Sequence, residues 1–381
     1  MNKKIGIVGA GIAGLTAAIS LKRLGYQVVL YESSPEIKGI GAGFGLASNA
    51  MRAFSDLKLE KGIIPLGTLL NESRICDSMG KIISVADTSL VKNLKHPSLA
   101  IHRKDLHHYL LNQLPENSVF THKQIINLEH NKTEVKLFFK DNTQDTCDYL
   151  IGADGVGSTV RQLLIPNSKP RYSGYTCWRA VIDNPDLKIK ENTEVWGKQG
   201  RFGFVSLIDN KIYWYCCINA APKDTFIRQM KTEALFERFK NYLHPIGEII
   251  KNTTDEQLIQ NDIVDIKPLS EFAFGRILLV GDAAHATTPN MGQGACMAVE
   301  DIAVLTSEVQ KTDNIETAFD NFEKKRVNRT RYITNASSVI GKIAQLENPV
   351  LCRIRNFIFR NLPKSFVKKQ MKQILAYDFY K

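Results

Sequence analysis

The sequence predicts an α/β protein with a doubly wound parallel sheet, an inserted antiparallel sheet and a helical C-terminal segment. Three observations carry this. The chain opens on a strand, a glycine turn, a helix and a second strand. Two later apolar strands end in Asp-Gly and Gly-Asp and run into helices. Between them lie β-branched and aromatic stretches with partial period-2 alternation. With 381 residues, 44% of them apolar, the chain can bury one large core or two moderate ones.

The opening βαβ unit reads as strand Lys4 to Val8, turn Gly9 to Gly11, helix Ile12 to Leu24 and strand Val28 to Glu32. Stretches from Arg74 to Val85 and from Tyr175 to Ala220 imply the second sheet. Its clearest hairpin sets Arg201-Phe202-Gly203-Phe204-Val205 and Lys211-Ile212-Tyr213-Trp214-Tyr215 on either side of Asp209-Asn210. Thr232 to Tyr242 and Asp301 to Val309 have helical apolar spacing. From Ile315 onward the chain reads as helices broken near Pro349 and Pro363.

Charge and cysteine usage exclude several classes. There are 50 Lys/Arg and 39 Asp/Glu, a formal net charge of +11. Residues 321–381 hold 14 Lys/Arg against 3 Asp/Glu, while residues 1–320 hold 36 of each, so the excess belongs to the C-terminal segment and a nucleic-acid partner is not expected. Seven scattered cysteines without a C-x-x-C argue against a disulfide framework, a zinc site or a dithiol centre, and fit reduced thiols in the cytoplasm. The apolar run after Met1-Asn2-Lys3-Lys4 is interrupted by three glycines, unlike a secretory signal, and no run of 18 uninterrupted apolar residues occurs.

Gly9-Ala10-Gly11-Ile12-Ala13-Gly14 follows a strand and opens a helix, the context a dinucleotide fingerprint requires. One glycine permits the turn, one lets the backbone approach a pyrophosphate, and one allows close helix–strand packing. Glu32, 18 residues after Gly14, is placed to accept hydrogen bonds from a ribose. Such a site holds NAD or FAD. Two further motifs decide between them: Gly152-Ala153-Asp154-Gly155, which leads to Arg161, and Gly281-Asp282-Ala283-Ala284-His285, which leads through Pro289-Asn290-Met291-Gly292-Gln293-Gly294 to a helix near Ala295. Singly, each acid could be a helix cap.

In order and approximate spacing these motifs resemble those of the FAD-dependent monooxygenases of the para-hydroxybenzoate hydroxylase class. Tyr172 to Arg179 and Pro289 to Asp301 look most like zeaxanthin epoxidase, FAD-dependent urate hydroxylase and salicylate hydroxylase relatives. The resemblance implies a Rossmann-like FAD-binding domain of the GR2 type at 1–72, 98–170 and 267–330. It also implies a substrate domain at 73–97 and 171–266 and a C-terminal helical segment at 331–381. Noncovalent FAD is expected on Gly9, Gly11, Ala13, Gly14, Glu32, Arg103, Asp154, Gly155, Gly281, Asp282, Gly292, Gly294 and Ala295, with Asp282 on the ribityl chain. NADPH or NADH is expected as a transient reductant and O2 as co-substrate. The implied chemistry is hydroxylation of an aromatic or polycyclic small molecule through a C4a-hydroperoxyflavin.

The Pro289, Gly292 and Gly294 loop is the expected chemical centre, because a helix N-terminus stabilises an anion beside it. Arg201 is expected to orient substrate, since a charge in an apolar strand needs a partner, and the same strand has Ser206 where similar enzymes often have proline. Trp178, Arg179, Phe202, Phe204, Tyr213 and Trp214 could wall the pocket or simply form core. His285 reads as an interior histidine bonded to backbone, and His107-His108 as poor metal ligands, so no metal is expected. In the tail, Val350, Leu351, Ile354, Phe357 and Ile358 form an apolar stripe that could rest on an anionic membrane; closure of the groove between domains is the plainer reading. A monomer or homodimer is expected. Alternatives are an epoxidase, halogenase or reductase of an isoprenoid, or a flavin-bound redox sensor; Trp214-Tyr215-Cys216-Cys217 lacks the W-x-W-x-I-P pattern of halogenases.

Overall fold

The structure, a computed structural model, describes residues 3–37, 42–91, 94–189 and 192–381. One sheet is six-stranded, in the order Ala273–Phe274, Ile277–Leu279, Tyr149–Gly152, Lys4–Val8, Gln27–Tyr31, Val119–Phe120. All neighbours are parallel except the first pair. The three strands that end in the glycine and Asp-Gly/Gly-Asp motifs therefore lie side by side, and their C-terminal ends share one edge, where an open α/β sheet binds ligands. The helix Ile12–Arg23 is buried along most of its length, which its alanines and glycine permit.

The second sheet has seven strands, ordered Ile259–Asp265, Arg171–Asp183, Lys211–Asn219, Gly200–Leu207, Asn192–Gly197, Glu72–Asp77, Ile82–Asp87. It is antiparallel as expected, except that Glu72–Asp77 joins Asn192–Gly197 in parallel. That exception arises because the first two-stranded excursion adds at the edge of a sheet completed a hundred residues later. The hairpin turns at Asp209 and Asn210, with φ of 56° and 52°, the left-handed pair that a two-residue connection favours.

Strand alternation divides this sheet. Trp178, Phe202, Phe204, Trp214 and Cys216 pack with Leu235, Phe239, Ile246 and Ile249 into a separate core. The residues between them, Arg201, Val205, Tyr213 and Tyr215, face the opposite way and line a cavity. Of the expected aromatic wall, only Tyr213 faces the cavity; the two tryptophans and two phenylalanines are core.

The C-terminal helices are Ile315–Ala344, Pro349–Arg360 and Lys364–Leu375, with breaks at the two expected prolines. The expected boundary at residues 330 and 331 falls inside the first of them. Lys364–Leu375 closes the groove, contributing Met371, Ile374 and Leu375 to the cavity wall. The apolar stripe of Pro349–Arg360 does not: Val350, Leu351, Ile354, Phe357 and Ile358 are all exposed, because the helix turns its other face inward.

Candidate flavin and substrate site

The fingerprint turn is fixed by close packing. A Cβ at Gly14 would lie 1.8 Å from the Gly9 carbonyl oxygen, and one at Gly9, where φ is +103°, would lie 2.4 Å from that of Ala153. A Cβ at Gly11 would meet nothing within 4 Å, so this glycine faces the open space a pyrophosphate would fill. Glu32 accepts from the amides of Ala10 and Ser34, both at 2.8 Å. Burial works against its charge, yet those donors hold its carboxyl below the usual range. His107 Nε2 donates to the Ala10 carbonyl at 2.7 Å, bracing the turn from the helix Arg103–Leu111. Sequence reading missed this role.

Asp154 caps the helix Thr159–Leu164, accepting from the amides of Thr159 at 2.7 Å and Val160 at 3.1 Å. Gly155 follows with φ of +78° and open space beside it. Arg161, fully buried, donates to the carbonyls of Val156, Ser168 and Ala283, which ties the Asp-Gly segment to the Gly-Asp segment.

Gly281 takes φ of +57°, packs within reach of Ala13, and donates its amide to Asp301 at 2.8 Å. Asp282 then projects, exposed, at the start of a one-turn helix. Arg103 is also exposed, and among the described residues neither side chain makes a hydrogen bond. The protein crowds both closely enough that burial raises the Asp282 carboxyl and lowers the Arg103 guanidinium, and each partly offsets the other's shift. Two opposite charges thus stand open in one cleft. An acceptor beside an open glycine cradle fits the ribityl and pyrophosphate parts of FAD.

His285 bonds a carboxylate rather than the backbone: its Nε2 lies 2.6 Å from Asp301 Oδ2, and its buried Nδ1 has no partner among the described residues. Asp301 and Glu300 are fully buried and matched by Arg326 at 2.8 Å each, with Arg329 on Glu300 at 3.1 Å. Asn49 Nδ2 donates to Glu300 at 2.6 Å and to Gln293 at 2.9 Å. This buried network holds the Pro289–Gly294 loop from below.

In that loop Gly292 is left-handed, with φ of +61°, and its amide donates to Pro289 at 2.9 Å, so this amide is used within the loop. The helix Gly294–Lys311 makes its first bond from Met297 to Gln293. The amides of Gly294 and Ala295 precede that ladder and are the available donors. Asn290 anchors the loop's other side, accepting from Tyr175 at 3.1 Å and donating to the Ser337 carbonyl at 2.9 Å.

Pro289 to Gln293 also borders the cavity, of about 460 Å³, between the seven-stranded sheet and the small sheet of Gly43–Leu46, Leu99–His102 and Gly67–Leu69. Leu70, Ile75, Val205, Met371, Ile374 and Leu375 make much of its wall apolar. Arg201 lines it, and its charge is matched: Nη1 donates to Glu194 at 3.2 Å and Nε to Gln345 at 2.7 Å. Glu194 also accepts from Tyr215 at 2.8 Å and Trp196 at 2.7 Å. Arg179 donates to Asn261, and its buried Nε has no partner among the described residues.

Residues 2–336 match the profile of the FAD binding domain family. The chain belongs to that family. It is 32% identical to aurachin C monooxygenase/isomerase of Stigmatella aurantiaca over 97% of both chains. It is 32% identical to 2-heptyl-3-hydroxy-4(1H)-quinolone synthase of Pseudomonas aeruginosa over 94% of both. The fold matches Klebsiella pneumoniae HpxO, solved with FAD and uric acid, with a TM-score of 0.90 at 24% identity, covering 98% of this chain and 97% of that one. This family member is an FAD-dependent, NAD(P)H-consuming monooxygenase that hydroxylates an aromatic or polycyclic small molecule. Among the described residues no helix is long and apolar enough to cross a membrane.

Proposed function

We propose that the enzyme hydroxylates a neutral, planar bicyclic heteroaromatic carrying an apolar side chain, of the 4-quinolone type. The observation that carries this is an apolar cavity in which the buried cation Arg201 is already matched by Glu194. An anionic substrate would compete with Glu194 for that guanidinium; a neutral ring need not. The Arg179 guanidinium, which lines the cavity and whose Nε has no partner among the described residues, is then the donor for a ring carbonyl. A relative at 32% identity, named 2-heptyl-3-hydroxy-4(1H)-quinolone synthase, supports the same class.

FAD is assigned to the open glycine at 11, with Gly9, Ala13, Gly14 and Glu32 shaping that end and Arg103 and Asp282 the ribityl region. Asp154 and Gly155 close one side and Gly281 another, while Pro289, Gly292, Gly294 and Ala295 border the ring. FAD held by these residues would supply the redox chemistry, hydride acceptance from NAD(P)H and transfer of one oxygen atom of O2. Around it this chain's residues orient the substrate and exclude water: Tyr213, Tyr215 and Val205 flank the ring, and the helix Lys364–Leu375 covers it. The division of the chain into FAD-binding, substrate and C-terminal segments is assigned on the same basis. Seven free, buried cysteines support a reducing compartment such as the cytoplasm.

The test is NAD(P)H oxidation by the FAD-loaded enzyme with 2-alkyl-4(1H)-quinolones and, in parallel, with urate. Stimulation by the quinolones, with a product heavier by one oxygen atom, is expected. Stimulation by urate alone would overturn the assignment.

A further inference from the structure

The helix Pro349–Arg360 is amphipathic in the reverse sense to an ordinary surface helix. Its inner face carries Cys352, Arg355, Phe359 and Arg360. Arg355 is buried, donates to the Ala344 carbonyl at 3.1 Å and lies 5.1 Å from the centre of the Trp196 ring. Phe359 meets the same ring edge-on at 5.5 Å, and Arg360 pairs with Asp77 at 2.6 Å. The helix is therefore seated by its arginines, and its register cannot rotate without breaking those contacts.

What it leaves outward is the apolar stripe. Val350 is 60% exposed and Phe357 68%, and Leu351, Ile354 and Ile358 are each exposed as well. The positions 350, 351, 354, 357 and 358 repeat at three and four, so they form one continuous face. A monomer seldom leaves such a face in water without a use for it. Arg353 on the same helix, and Lys364, Lys368, Lys369 and Lys372 on the next, are exposed, as is Phe366.

We propose that this stripe lies in the surface of an anionic lipid bilayer, with these lysines and Arg353 on phospholipid headgroups. Charge selects this occupant. The exposed charged side chains on these two helices, Arg353, Lys364, Lys368, Lys369 and Lys372, are all basic, so two copies of this face repel each other, whereas an anionic headgroup layer complements it. Long basic side chains can place their stems along the apolar zone and their charges at its edge. The adjoining helix Lys364–Leu375 lines the substrate cavity through Met371, Ile374 and Leu375, which puts the cavity one helix away from the lipid. The docking surface is independent of which substrate the cavity takes.

The experiment is flotation of the full-length, FAD-loaded enzyme with vesicles of phosphatidylcholine alone and of phosphatidylcholine mixed with phosphatidylglycerol. Binding to the mixed vesicles, weakened by added salt, is expected. The exposed double substitution Ile354→Asp/Phe357→Asp is expected to weaken it by about tenfold or more with unchanged FAD content and unchanged NAD(P)H oxidation in vesicle-free buffer. Failure to bind mixed vesicles, or equal binding by the double variant, would overturn the proposal. So would a vesicle-free dimer, seen by light scattering, that the double variant dissociates, because a second copy would then cover the stripe.

Discussion

Arg201 Nε donates to Gln345 Oε1 at 2.7 Å, joining a strand of the substrate sheet to the end of the long helix Ile315–Ala344. Gln345 in turn exchanges two hydrogen bonds with Asn219, at 2.8 and 2.9 Å. Arg201 is thus both part of the cavity lining and a tie between elements. Its replacement has two separable effects.

Arg201→Gln removes the ion pair with Glu194 and leaves that carboxylate with Tyr215 and Trp196 as its remaining donors. Unfolding free energy should fall by about 1–3 kcal/mol, the cost of losing a charged hydrogen bond at a buried site. Glu194→Gln in the same background should cost less than it does alone, since the two groups act as a pair. FAD content should remain normal, and H2O2 released per NAD(P)H oxidised should rise as the substrate ring loses a fixed wall. Denaturant melts of the four proteins and peroxide assays read both effects; additive losses would show that the pair is not coupled.

Asp282 gives a prediction with a definite sign. Crowding raises its folded-state carboxyl above the unfolded value, so the native apoprotein keeps a proton that the unfolded chain has already released. Ionised Asp282 therefore costs stability, in full above its folded pKa and not at all below about pH 4, where the unfolded group is also protonated. Asp282→Asn should make the apoprotein more heat-stable at neutral pH, and the gain should vanish on acidification through that window. The same substitution should weaken FAD by about 1–3 kcal/mol, because a charged acceptor is lost. Melting curves against pH and a flavin titration check the two halves; equal stability of the two apoproteins at every pH would refute the first.

Gly341 shows how the long helix controls the loop. A Cβ there would lie 2.3 Å from Asn290 Nδ2, and Asn290 is held by Tyr175, Thr288 and Ser337. Gly341→Ala should displace Asn290, cost about 1–3 kcal/mol as an overpacked site does, and uncouple oxygen use from hydroxylation with FAD still bound. Product and peroxide measured per NAD(P)H would reveal it. Unchanged coupling would mean the loop tolerates the shift.

Much of the site was readable in advance because its parts are local. The glycine turn, the two acidic motifs and the proline breaks each state their geometry within a few residues. The partners that hold those parts are not local. Nothing near His107 in the sequence indicates Ala10, and Asn49 meets Gln293 and Glu300 across some 250 residues. Period-2 alternation separated Arg201 from Phe202, but which of the two faced a cavity depended on where the helices Thr232–Phe239 and Ile246–Lys251 packed. The stripe on Pro349–Arg360 was visible as amphipathicity. Its outward orientation followed only from the seats taken by Arg355 and Arg360.

The fingerprint glycines allow a contrast that separates folding from cofactor binding. At Gly14 a methyl group would lie 1.8 Å from the Gly9 carbonyl oxygen, which belongs to backbone that cannot move aside. Gly14→Ala should therefore open the turn and leave little soluble protein. At Gly11 the added carbon meets no protein atom within 4 Å, so the chain has no steric reason to object. Gly11→Val should fold with a melting temperature close to that of the parent apoprotein, yet purify colourless, because its side chain fills the space assigned to the pyrophosphate. Absorbance near the flavin band and circular dichroism on the two variants distinguish these outcomes. A yellow Gly11→Val would place the phosphates elsewhere, and a well-folded Gly14→Ala would mean that the helix Ile12–Arg23 can shift away from the strand Lys4–Val8 despite its burial.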